Sequence, residues 1–167
     1  SKRKIVGNRH HYWHMGKKFW NTLEKHNKAG FLYDTSFGFN EAPGYRLGMA
    51  YPFFPWNPHT NSVIKTLQIP NFIMDASFFM DKKMNSKDRK EKLKELISHL
   101  KQYNGVGGIN WHVASSYPAS AMYREWGEEY LQILELLDND PEILVLNCES
   151  FTKQYCKYLK DLNISFD

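Results

Sequence analysis

An α/β fold built on parallel strands is the architecture this sequence predicts, and three features predict it. Apart from the third, its strand-like runs are short and apolar, as in strands buried on both faces. Amphipathic helical stripes lie between them, and strand and helix alternate along the chain. Such alternation joins neighbouring strands by right-handed crossovers, which makes them parallel. At 167 residues the chain suits one core and is short for two, so residues 1–167 are expected to form a single domain.

Taken in order, Lys4 to Asn8 reads as the first strand, followed by a helix with Phe19, Leu23 and His26 on one face. Phe31 to Ser36 is the second strand. The segment from Phe37 to Thr66, rich in Pro, Gly, Asn and aromatic residues, reads as a loop, and loops of that length are usually functional. Leu67 to Ala76 is the third strand. Ser86 is the expected cap of the next helix, whose apolar stripe is Leu93, Leu96, Ile97 and Leu100 and whose stop is Asn104-Gly105. Val106 to His112 is the fourth strand. In the third helix Met122, Trp126, Tyr130, Ile133, Leu134 and Leu137 recur every three or four residues until Asp140-Pro141. Ile143 to Asn147 is the fifth strand, and the last helix begins at Ser150, with Phe151, Tyr155, Tyr158, Leu159 and Leu162 on one side.

Composition excludes several function classes. The net charge is +4, and Lys87, Lys90, Lys92 and Lys94 fall together on a helix, which reads as a solvated face and not as a nucleic-acid footprint. No run approaches the eighteen or so apolar residues of a membrane span, and "SKRKIVG" lacks the apolar core of a signal peptide. The start at Ser1 suggests a piece of a longer chain, expected to be soluble, whether cytoplasmic or exported as part of that chain. Cys148 at a strand end and Cys156 on a helix face suggest neither a disulfide framework nor a zinc pattern. Aromatic residues make up 16% of the chain, and Trp13, Trp56 and Trp111 fall in or beside loops, as in sugar-binding clefts and in ordinary aromatic cores.

Parallel α/β architectures gather their chemistry where the carboxyl ends of the strands converge. The first strand delivers Arg9, His10, His11, Tyr12 and His14 there; the second delivers Asp34, the third Asp75 and the fourth His112. Each has a plainer reading, with the two aspartates as turn or cap formers and His112 as a satisfied core histidine. Their shared position at four successive strand ends favours a site. His10 and His14 have the spacing of helical metal ligands, but "HHYWH" precedes a helix and contains no acid.

Four segments, "NRHHYWHM", "AGFLYDTSFGFNEAPGYRLGMAYPFFPW", "IPNFIMDASFF" and "GGINWHVASS", resemble in order and spacing the polysaccharide deacetylases (carbohydrate esterase family four). The branch resembled carries an Arg-x-His-Tyr segment, an Asp-x-Ser/Thr-x-Gly turn, a Gly-Phe/Tyr-Arg element and a Trp-His near the end. The likeness runs from about Val6 to Ser116, more weakly beyond. It implies a partial or distorted (β/α) barrel, with about five parallel strands and four helices in this chain. It also implies metal-dependent hydrolysis of N-acetyl or O-acetyl groups on a carbohydrate, with zinc or a similar divalent metal in the complete enzyme. Arg9 would orient the carboxylate that acts as general base, Asp34 would tune the catalytic histidine, and His112 would be the general acid toward the departing amine. Tyr12, Arg46, Trp56, Asp75 and Trp111 would contact substrate, with Tyr45, Phe53 and Phe54 beside them in the long loop.

The departures from the pattern are specific. The family's Asp-Asp pair is missing, and no His-x-x-x-His stands at the matching place, since "HHYWH" occupies the Arg segment. No metal ligands are therefore assigned in this chain. An N-terminal half of the barrel is implied as partner, without which the chain would be inactive. Val113 also stands where the branch has Asn. The alternatives are a non-catalytic carbohydrate-binding domain using Arg9, Arg46 and Trp56, and a small-molecule amidase or deformylase.

Overall fold

A computed structural model describes residues 4–79 and 84–165. Its elements in chain order are β1 (Gly7–Asn8), α1 (Phe19–Lys28), β2 (Tyr33–Asp34), β3 (Trp56–Asn57), β4 (Ser62–Val63), β5 (Leu67–Gln68), β6 (Asn71–Met74), α2 (Asp75–Phe79), α3 (Ser86–Gln102), β7 (Gly108–Asn110), α4 (Arg124–Asp138) and α5 (Cys148–Asp161). The chain is mixed α/β with parallel pairing, and the described residues form no closed barrel.

Parallel pairs link β1 to β2, β2 to β5, and β6 to β7. The third expected strand is thus real but divided. Pro70 carries no N–H, so the ladder is interrupted there, and the strand changes neighbour from β2 to β7 across Ile69-Pro70. The other strands are shorter than their apolar runs, because only part of each run pairs. Close approach of β1 and β2 requires Gly7: a Cβ there would lie 2.0 Å from a ring atom of Tyr33.

The expected fifth strand, Ile143 to Asn147, is not a strand. Leu144 is 75% exposed and Val145 55%, and the segment pairs with no described strand. Apolar content alone does not make a strand; the backbone groups need a ladder partner. Two further differences are local. The third strand does not run through Ala76, since Asp75 opens α2. The long loop contains the antiparallel hairpin of β3 and β4.

All four expected helices form. Asn85, not Ser86, caps α3: its side chain accepts from Lys87 and Asp88 N–H while the Asp88 carboxylate accepts from Asn85 N–H. Asn147 caps α5 two residues earlier than expected, so Cys148 begins the helix and both cysteines are free. Two apolar clusters result. One packs Phe72 and Ile73 of β6 against Leu93, Leu96 and Ile97 of α3 and Ile133 and Leu137 of α4. The other gathers Met15, Leu23, Phe37 and Ile64 around α1.

Candidate functional site

The carboxyl ends of the parallel strands carry two separate polar centres. The first lies at the ends of β6 and β7. Asp75 is fully buried, and its carboxylate accepts from the backbone N–H of Ala76 (2.7 Å) and His112 (3.1 Å), from His112 Nδ1 (2.8 and 3.0 Å to the two oxygens) and from the Ser115 hydroxyl. A carboxylate only accepts, so Nδ1 carries the proton and Nε2 is the free nitrogen of the ring. The His112 side chain is 48% exposed, so that nitrogen is within reach of an incoming group.

Asp34 was the expected partner of His112, and the structure gives that place to Asp75. The reason is strand order. β7 pairs with β6, so the residue just past β7 meets the residue just past β6, whereas Asp34 ends β2 between β1 and β5.

Asp34 instead anchors the second centre. It is fully buried, accepts from Ser36 N–H (2.9 Å), Ser36 Oγ (3.0 Å) and Asn8 Nδ2 (3.2 Å), and lies 3.4 Å from His26 Nδ1. His26 Nε2 is 2.9 Å from His10 Nε2, a contact in which one nitrogen donates and the other accepts. The His10 N–H donates to Ser36 Oγ, tying the loop after β1 to the same cluster. Sequence reading placed His26 on the inner face of α1 without a polar partner. A buried imidazole needs one, and that requirement was the available signal.

Burial, against the pull of the Asp34 carboxylate and with the help of His10, lowers the His26 pKa below its ordinary 6.5. The unfolded chain therefore binds a proton at His26 before the folded chain does. Stability from this residue is present above about pH 6.5 and is lost as the pH falls from there through the lowered folded-state pKa. Thermal unfolding at pH 7.5 and 5.0 is expected to show this loss in the parent and a smaller one in His26→Gln. Equal losses in both proteins would remove His26 from the account.

The other expected site residues are dispersed. Arg9 is exposed, with its Cζ 5.3 Å from the centre of the Trp13 ring. Tyr12 is 70% exposed on a turn where it and Trp13 have left-handed backbone, with φ of 54° and 51°. Arg46, also exposed, donates to the Trp13 carbonyl (3.4 Å), so Arg9 and Arg46 both adjoin Trp13. Trp56 is 52% exposed on β3. Trp111 is half-buried, stacks on Tyr130 of α4 (ring centres 5.2 Å apart) and donates its indole N–H to the Ser115 carbonyl. Its place is beneath the His112 loop, not at an open surface.

Among the described residues, no three His, Cys, Asp or Glu side chains converge as a metal site would require. No helix is long and apolar enough to cross a membrane among those residues. No family model, no curated protein and no solved structure matches this chain.

Proposed function

We propose that this chain is the C-terminal part of a polysaccharide deacetylase-like hydrolase acting on N-acetyl or O-acetyl groups of a carbohydrate. One observation carries the reading: an imidazole at the end of a parallel strand, oriented through Nδ1 by a buried carboxylate, with Nε2 available. That arrangement suits a proton donor. Water attacks the acyl carbonyl, the bond to the sugar nitrogen breaks, and Nε2–H of protonated His112 supplies the proton that the departing amine takes. The role assigned to Asp34 in tuning the acid passes to Asp75.

The divalent metal and the attacking water would be held by a preceding half of the barrel, since no ligand set converges among the described residues. Among the described residues β1 pairs only on its β2 side, which leaves that margin of the parallel array open to such a partner. Arg9 and Tyr12, on the loop after β1, stand at this margin, where an added strand would bring its carboxylate to the guanidinium.

The test compares this chain with a longer polypeptide that carries an Asp-Asp pair and a His-x-x-x-His upstream, using N-acetylated oligosaccharide with added zinc or cobalt. Acetate release is expected only from the longer protein and is expected to fall about 100-fold in His112→Ala. Release that survives His112→Ala would overturn the assignment. Exposed Tyr12 and Trp56 favour a second reading, a non-catalytic carbohydrate-binding domain. It predicts oligosaccharide binding weakened by Trp56→Ala and no acetate release from either protein.

A further inference from the structure

Asp75 alone does not determine where His112 points. Nδ1 lies 2.8 Å from one carboxylate oxygen and 3.0 Å from the other, so the ring could swivel between two nearly equivalent acceptors. What distinguishes them is Ser115. Its hydroxyl donates to Oδ2, the oxygen that also accepts the His112 backbone N–H, while Oδ1 accepts the Ala76 N–H. Two donors on Oδ2 leave Oδ1 as the better acceptor for Nδ1–H, in agreement with the shorter distance.

Ser115 is itself held on all sides. It is buried at the end of the short 3-10 turn Val113–Ser115, and its N–H donates to the His112 carbonyl at 3.0 Å. Its own carbonyl accepts the Trp111 indole N–H at 3.2 Å. The hydroxyl also lies 3.1 Å from the His112 carbonyl, a weaker alternative to the buried carboxylate for its single proton. Trp111, His112 and Ser115 thus form one closed turn clamped onto Asp75, and only the hydroxyl connects the end of that turn to the carboxylate.

We propose that Ser115 is a positioning residue for His112: by occupying Asp75 Oδ2 it directs the Nδ1–H to Oδ1 and fixes the ring plane, and so aims Nε2 at the substrate. This rests on the deacetylase reading for its purpose, but not for its measurement.

The test is ¹H–¹⁵N NMR of the histidine side chains in the labelled chain, with the Trp111 indole N–H as an internal report on the turn. In the parent, the neutral ring of His112 is expected to show a protected, downfield Nδ1–H and an unprotonated Nε2. In Ser115→Ala the Nδ1–H resonance is expected to be lost to exchange as the ring moves between the two carboxylate oxygens, while the Trp111 signal stays in place. Ser115→Cys keeps nearly the same volume with a weak donor and is expected to behave as the Ala variant does. If either variant leaves the His112 signals as in the parent, the hydroxyl does not position the ring and the proposal is overturned. If both variants displace the Trp111 signal together with that of His112, Ser115 is a packing residue and the proposal is equally overturned. In the longer protein the expected effect is about a tenfold fall in kcat with KM unchanged, the low end for a group that orients a functional side chain. Failure of that protein to release acetate would remove the deacetylase reading and leave the NMR result standing.

Discussion

Replacing Asp75 with Ala is expected to lower the unfolding free energy by about 3–5 kcal/mol, although the residue belongs to the candidate site and not to the apolar core. The carboxylate has no solvent exposure and accepts four different donors. Ala would leave the His112 and Ala76 N–H groups and the Ser115 hydroxyl without their acceptor, each at a cost of about 1–3 kcal/mol where water cannot enter. Relaxation toward the exposed side of His112 keeps the total below the sum. Asp75→Asn preserves the volume but turns one acceptor into a donor facing Nδ1–H or the Ser115 hydroxyl, and should cost about half as much. His112→Ala removes only a half-exposed ring and should cost less than about 1 kcal/mol. Urea unfolding with unchanged m values measures all three. A loss for Asp75→Ala no larger than that for His112→Ala would mean that the carboxylate network does not hold the ends of β6 and β7 together.

Sequence was informative where local periodicity determines structure. The stripes Leu93, Leu96, Ile97 and Ile133, Leu137 identify α3 and α4 because a helix satisfies its own backbone and needs only one face covered. Strand positions were legible as apolar runs. Strand extent was not, because a ladder depends on a neighbour that the run does not name, as Leu144 and Val145 show. The candidate site divides in the same way. Position at a strand end placed Asp34, Asp75 and His112 on one rim, but which acid meets the imidazole depends on which strands are adjacent. Sequential strands are usually neighbours, so the step from Asp75 to His112 was open to inference. Resemblance to a family pattern favoured Asp34 instead. A histidine on an apolar helix face signals only that His26 needs a polar partner, not which one, and a serine in a small polar run such as Ser115 carries no signal until the fold supplies its partner.

The second large effect lies away from the site and acts on its support. Arg89→Ala is expected to destabilise the chain by about 3–5 kcal/mol. Arg89 of α3 is buried, its Nε is 3.0 Å from both oxygens of Glu129 on α4, Nη1 donates to the Met84 carbonyl at 3.1 Å, and its Cζ sits 4.2 Å from the centre of the Phe79 ring. Burial opposes the charge on this guanidinium, but hydrogen bonding and attraction from Glu129 and Glu125 more than offset it and raise its pKa. Removing it strands a buried carboxylate, which is the source of the cost, so Glu125→Ala, on a largely exposed partner, should cost less than about 1 kcal/mol. Arg89→Met combined with Glu129→Leu removes both charges and should recover most of the loss, leaving a strong coupling in the double-mutant cycle. If the double variant is as unstable as Arg89→Ala, packing around Phe79, not the ion pair, accounts for the effect. The clamp also bears on His112. Tyr130, next to Glu129 on α4, stacks on Trp111, and the Trp111 indole N–H holds the turn that closes over Asp75. Loosening α4 should therefore shift Trp111 fluorescence before global unfolding in Arg89→Ala, whereas the compensated double variant should retain the parent's emission.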